Sequence, residues 1–230
     1  MKAAYVDTEN TTIFDALCRE LSSPASKVGP SLAMVTGQAG RGKTEAAKHW
    51  AIHSDAVYLP PMNIRTPAMI LREICFELAM LRPGRTESCL TLIGEEMAKH
   101  RRLIMVDEAD LLRMDNLEML RNLNERCACP ILLIGEESLK GRIASRRRLV
   151  SRIRRKVEFG PISQVDIIFF FRIALDVGVA NDVALEIYRH SGGDWRPVLT
   201  LAAGLERAMV ASGINDITKE MVHDVATNAE

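Results

Sequence analysis

Gly37-Gln38-Ala39-Gly40-Arg41-Gly42-Lys43-Thr44 reads GQAGRGKT, the complete G-x-x-x-x-G-K-[ST] spacing of a phosphate-cradling loop. The apolar run Leu32-Ala33-Met34-Val35 enters it as a short buried strand, and Glu45-Ala46-Ala47-Lys48-His49-Trp50 leaves it as a helix former. Strand, glycine loop and helix in that order turn a pattern into a binding site. Glycines let the backbone curl until several N–H groups face phosphate oxygens, and the helix N-terminus adds partial positive charge behind them. All eight residues then surround a nucleoside triphosphate, with Lys43 reaching the β- and γ-phosphates and Thr44 ligating Mg²⁺.

Outward from this loop the chain alternates. Ala56–Leu59, Leu103–Val106 and Ile131–Ile134 read as further strands, with a short fifth over Lys156–Phe159. Helices are expected over Thr8–Leu21, Pro67–Leu81, Glu87–His100 and Asp115–Cys127, the first with Ile13, Phe14, Leu17 and Leu21 inward. Such alternation predicts an α/β fold, a parallel sheet flanked by helices with nucleotide at the C-terminal strand ends. After Gly160-Pro161 the pattern changes to four helices without strands, over Gln164–Leu175, Asp182–His190, Pro197–Ala211 and Thr218–Thr227. Two domains are expected: residues 1–160, a nucleotide-binding core with its N-terminal helix, and residues 161–230, a small helical lid.

Bulk composition narrows the classes. The chain has 230 residues, 47% of them hydrophobic, and 30 basic residues balance 30 acidic ones. Any nucleic-acid contact must therefore come from local clustering and not from overall basicity. Five cysteines without a paired C-x-x-C argue against a disulfide framework or a zinc site. No apolar run reaches membrane-spanning length and the first residues lack a signal-peptide pattern, so a cytoplasmic protein with no membrane partner is expected.

The third strand runs into Asp107-Glu108-Ala109-Asp110. Two acids leaving the C-terminal sheet edge beside the loop suit a hydrolase: Asp107 holds Mg²⁺, and Glu108 orients or deprotonates the attacking water. The competing reading is structural, an acidic helix start capped by Asp110. From Arg142 to Lys156 there are eight basic residues and no acidic one. No aromatic residue interleaves with them, so neutralisation of a duplex backbone is the physical reading, without sequence preference. For Arg146, Arg147 and Arg148 that reading stands beside a place at a subunit interface.

Taken together, the loop, the acid pair and their spacing resemble the AAA+ ATPases over nearly the whole chain. What the resemblance implies is an ATPase with ATP and Mg²⁺ as cofactors, assembled as a homo-oligomer, ring or helical filament, with ATP at subunit interfaces. Its sensor residue after the fourth strand falls on Glu136, where the family usually has a neutral polar side chain. Its arginine finger falls on Arg152 of Ser151-Arg152, and its lid arginine on Arg196 of Gly193-Asp194-Trp195-Arg196. A finger works in trans, on the γ-phosphate held by a neighbouring subunit.

Within that superfamily GKTEAAKHW (42–50), LIMVDEADLL (103–112) and VSRIRRKVEF (150–159) are similar to the transposition ATPases, the group of Mu-like phage B proteins and TnsC-type proteins. That likeness implies an ATP-dependent, sequence-nonspecific DNA-binding protein, which oligomerises on duplex DNA and selects targets for a transposase that it activates. A phage- or transposon-encoded protein would then work in the bacterial host cytoplasm. Related ATPases point the loop after the second strand toward DNA, which marks Arg65 and Thr66, although the same residues suit a plain helix start. The phage proteins carry an additional N-terminal helix-turn-helix module, whereas this sequence opens almost directly on the ATPase core. The alternatives are a replication initiator or helicase loader of the same superfamily, a small-molecule phosphotransferase, and a nucleotide-binding scaffold that does not hydrolyse.

Overall fold

The computed structural model describes residues 1–2, 4–23, 29, 31–60, 66–214 and 216–227. In chain order its elements are α1 (Glu9–Ser22), β1 (Leu32–Thr36), α2 (Lys43–His53), β2 (Val57–Leu59), α3 (Pro67–Ala79), α4 (Thr86–Lys99), β3 (Ile104–Val106) and α5 (Met114–Cys127). There follow β4 (Ile131–Gly135), α6 (Ser138–Ala144), α7 (Arg147–Val150), β5 (Ile153–Glu158), α8 (Gln164–Leu175), α9 (Asn181–Ser191), α10 (Trp195–Ser212) and α11 (Lys219–Thr227). The chain divides into two compact units, one of residues 13–38 and 43–159, the other of residues 1–12, 39–42 and 160–230.

The first unit holds a five-stranded parallel sheet in the order β2-β3-β4-β1-β5. Every residue of β1 and β4 is buried, because helices cover both faces and each strand can be apolar throughout. Alternation divides the side chains: Leu32 and Met34 join Ile74, Ile93, Leu120 and Leu123 on the α3–α4–α5 side, while Ala33 and Val35 meet Phe14, Leu17 and Ala47 on the α1–α2 side. Ile13, expected inward on α1, is instead 42% exposed. Phe14, Leu17, Cys18 and Leu21 already fill the buried stripe.

The basic stretch between Arg142 and Lys156 folds as part of α6, α7 and most of β5. Leu139, Ile143 and Leu149 are buried beneath it and anchor the short helices, leaving Arg146, Arg147 and Arg148 exposed. β5 begins at Ile153, opposite Leu32, three residues earlier than the apolar pattern suggests. As an edge strand it tolerates charge, and Arg154 and Arg155 there both pair with Glu20 of α1.

The second unit is built on α8–α11, whose Phe170, Phe171, Ile187, Val198 and Leu205 form its core together with Val6. Residues 1–12 thus cluster with the C-terminal helices, held by the Lys2 N–H on Ala174 O at 2.8 Å and by an amide exchange between the Asn10 side chain and the Gly160 backbone. Ser163 and Asp166 form a reciprocal capping box that starts α8. Among the described residues no helix is long and apolar enough to cross a membrane.

Candidate active site

β1 ends at Thr36, whose carbonyl accepts from the Phe159 N–H at 2.7 Å. Glycine is required immediately afterwards, because a Cβ on Gly37 would lie 2.6 Å from Phe159 O. Gly40 (φ +76) and Gly42 (φ +88) then take the left-handed backbone that curls the loop, and α2 opens at Lys43. Lys43 is buried at 9% exposure, and its ammonium donates to Gly37 O and Gln38 O, both at 2.7 Å. The cation is thus held above its own loop, near the unsatisfied amides that open a helix. Thr44, half-buried, is the second residue of that helix.

Residues 39–42, the tip of the loop, belong with the helical unit. Gly40 O accepts from the Trp195 N–H at 3.0 Å, and Arg41 donates to Gly192 O at 3.0 Å and also to Gly193 O. Asp194 caps α10 by accepting from the Arg196 N–H at 2.7 Å. Arg196 itself is exposed in the first turn of that helix.

The acids leave β3. Asp107 is 5% exposed, and both carboxylate oxygens are fixed: Oδ2 accepts from Tyr58 Oη at 2.8 Å, Oδ1 from the Glu108 N–H at 2.9 Å. Burial, with the charge and hydrogen bond of Asp107, pushes the Tyr58 phenol well above its ordinary range, so it remains a donor. Glu108 sits at φ +49, a conformation non-glycine residues rarely hold. Desolvation, then Asp107, Asp110 and Glu136, raise its carboxyl above the ordinary glutamate value. Glu136 is exposed, and its N–H donates to Asp110 Oδ1 at 2.9 Å.

The arginines fall into separate groups. Arg152 donates through Nε to Glu125 Oε1 at 2.5 Å, and this bond, with help from Arg121, holds the Glu125 carboxyl below its usual range. Arg142 turns inward, donating to Asp110 O and Leu112 O. Arg146, Arg147 and Arg148 are exposed and form no ion pair with any described residue. Of the loop after β2, Arg65 lies outside the described residues, and Thr66 caps α3 by accepting from the Met69 N–H at 3.4 Å.

Sequence reasoning missed Tyr58, Arg142 and the placement of Asp110. Tyr58 is an ordinary strand tyrosine until β2 pairs with β3 in the register Leu59↔Val106, which brings its hydroxyl to the residue after β3. Arg142 had a usable signal: Leu139 and Ile143 are four apart and mark a helix that aims it back at the acid turn.

The thiols carry no metal or redox pattern. Burial pushes Cys18 and Cys129 far above the usual thiol range and Cys75 up to about 12. Among the described residues no group of three or more His, Cys, Asp or Glu side chains could hold a metal by itself. A hydroxyl from Thr44 and a carboxylate from Asp107 are hard oxygen donors, which fits an ion that takes its remaining ligands from phosphate and water.

A family model described as AAA domain matches residues 26–143, more than half the chain, and the chain belongs to that family. It is 28% identical over 146 residues to the ATP-dependent target DNA activator B of Escherichia phage Mu, covering 60% of this chain and 47% of that protein. It is 29% identical over 151 residues to the Mu-like prophage FluMu DNA transposition protein B of Haemophilus influenzae, covering 61% and 53%. The chain therefore spans about half the length of the curated relatives it matches. Among solved structures, Cdc6p from Pyrobaculum aerophilum superposes with a TM-score of 0.73 at 18% identity, over 99% of this chain and 69% of that one. The Thermotoga maritima RuvB Holliday junction branch migration motor gives 0.65 at 17% identity, over 96% and 68%. At such identities the likeness is one of fold alone, a parallel-sheet P-loop core.

Proposed function

We propose that this AAA-family chain is an ATP-switched, sequence-nonspecific DNA-binding protein that assembles on duplex DNA and presents it to a transposase. The observation that carries the reading is the triad Arg146, Arg147 and Arg148, exposed and with no ion pair to any described residue, in an otherwise charge-balanced chain. Four of the other five basic residues of the stretch are engaged: Arg142 with backbone carbonyls, Arg152 with Glu125, Arg154 and Arg155 with Glu20. Exposed arginines can displace counterions from phosphates. Relatives named as a target DNA activator and a DNA transposition protein favour a transposase as the recipient. A bacterial cytoplasm, where DNA and transposase meet, is the corresponding compartment.

Thr44 and Asp107 would hold Mg²⁺ at the nucleotide. Bound there, the ion supplies positive charge to the β- and γ-phosphate oxygens. Lys43 exchanges its two loop carbonyls for phosphate oxygens, a charge-assisted contact in a buried place. Glu108, its carboxyl raised above the ordinary glutamate value by desolvation and then by the acids around it, orients the attacking water and takes its proton. Arg152, a surface partner of Glu125 in its own chain, exchanges that pair for the γ-phosphate of the neighbouring subunit. Exposed pairs are worth about 0–1 kcal/mol, so the exchange is easily favourable. ATP then acts as adhesive between subunits, and hydrolysis loosens the assembly.

The test is electron microscopy of the protein with duplex DNA, with and without a non-hydrolysable ATP analogue. Ordered polymers or rings on DNA only with the analogue are expected; nucleotide-independent DNA binding, or none, overturns the reading.

A further inference from the structure

We infer that Asp110 is a positioning residue for ATP hydrolysis: it fastens the turn that carries Glu108 to the C-terminal end of β4. The inference rests on the reading of Glu108 as the acid that orients water.

The turn after β3 is joined to β4 and α6 at three places. The Ala109 N–H donates to Ile134 O at 2.8 Å. Asp110 Oδ1 accepts from the Glu136 N–H at 2.9 Å, and Arg142 of α6 donates to Asp110 O and Leu112 O. The packing is tight enough to dictate sequence: a Cβ on Gly135 would lie 2.4 Å from Asp110 Oδ1 and 3.1 Å from Asp110 N. An aspartate that merely capped a following helix would accept from amides one to three residues ahead. This carboxylate instead reaches an amide 26 residues further along the chain.

Between these attachments and Asp107 stands Glu108, at φ +49. A non-glycine residue keeps such a backbone only where its surroundings over-determine it. Asp110 and the Gly135 gap provide that determination on one side, the Asp107 Oδ1 bond to the Glu108 N–H on the other. The Asp110 Oδ1 bond to the Glu136 N–H fixes the backbone of residue 136, so the acid turn and the strand end move as one piece. Misplacing a reacting group by about 1 Å can cost about a hundredfold in rate without touching affinity.

Three substitutions test this. Asp110→Ala removes the acceptor, Asp110→Asn keeps Oδ1 without the charge, and Gly135→Ala displaces the carboxylate while leaving Asp110 in place. Steady-state hydrolysis, affinity for a fluorescent ATP analogue, and deuterium exchange across residues 134–137 of the nucleotide-free protein are read for each. Asp110→Ala is expected to lower kcat at least tenfold, to leave affinity within about twofold, and to speed exchange at Glu136. Asp110→Asn should restore both readouts, and Gly135→Ala should reproduce the loss if Asp110→Ala fails to fold. Wild-type kcat in Asp110→Ala or Gly135→Ala overturns the inference, as does a joint loss of affinity and kcat that Asn does not rescue. Glu108→Gln separates the two claims: wild-type turnover in that variant removes the role of Glu108 itself, whereas an inactive Glu108→Gln beside a fully active Asp110→Ala removes only that of Asp110.

Discussion

Tyr58 Oη donates to Asp107 Oδ2 at 2.8 Å across the β2–β3 pair, joining residues 49 apart. The bond holds a nearly buried carboxylate in one orientation, and Tyr58→Phe deletes it without changing shape. A hydrogen bond to a charged group is worth about 1.5–3 kcal/mol, so the denaturation midpoint of the nucleotide-free protein should fall. Affinity for ATP should drop about tenfold with Mg²⁺ present and remain unchanged in EDTA, the ratio that follows from about 1.4 kcal/mol. Equal affinities in both conditions for both proteins would remove the ion-orienting role.

Glu108→Gln should abolish turnover and trap ATP, as measured by phosphate release and nucleotide retention. It should also change stability with a definite sign. The folded-state pKa of Glu108 is raised above its unfolded value, so at acid pH, where the carboxyl is neutral in both states, there is no penalty. As pH rises through the folded pKa the native state is disfavoured, and stability is lost. In EDTA without nucleotide, the variant should melt above wild type at pH 7 to 8 and converge with it near pH 4. Because Glu108 is exposed the gap is small, and a gap independent of pH would contradict its electrostatic origin.

Gly40→Ala should be severe. Its Cβ would fall 1.8 Å from Asp194 Oδ1, and φ is +76. Displacing Asp194 loses the α10 cap, about 0.5–2 kcal/mol, before the backbone strain is counted. Gly84→Ala, where a Cβ meets nothing within 4 Å, is the control. Calorimetric melting of the two variants should separate them by several degrees.

Arg152→Ala and Lys43→Ala should each lose ATP-dependent assembly. Mixed, they should recover part of the hydrolysis, because one subunit offers an intact loop and the other an intact finger. Glu125→Ala releases Arg152 from its own chain and should assemble at least as well as wild type. Soluble mixed oligomers with no recovered turnover would place the finger elsewhere.

Replacing Arg146, Arg147 and Arg148 together by Ala should weaken duplex binding at every sequence tested. If all three meet phosphates, the log–log salt slope falls by about 2.7 per subunit. Fluorescence anisotropy over a salt series measures it, and an unchanged slope would return these arginines to the subunit interface.

How much of this was legible beforehand differs by element. β1 and β4 announced themselves as unbroken apolar runs because a sheet covered on both faces has no polar side to show. α6 and α7, 7 and 4 residues long, did not, since their arginine-rich surface hides three buried anchors. The apolar pattern marks β5 three residues late for a related reason: an edge strand exposes its side chains, so charge there does not argue against a strand.

GQAGRGKT was readable by itself because neighbouring residues decide its geometry: glycines where φ must be positive, a lysine at the helix start, an apolar strand ahead. That Asp107 and Glu108 leave the end of β3 is legible on the same terms. What surrounds them was decided only by tertiary structure. Tyr58 reaches Asp107 because β2 pairs with β3, and Asp110 reaches residue 136 because β4 lies beside β3 and Gly135 has no Cβ. Local sterics and periodicity are written along the chain, whereas strand order, register and the contacts they create depend on residues that are neighbours only once the sheet has formed.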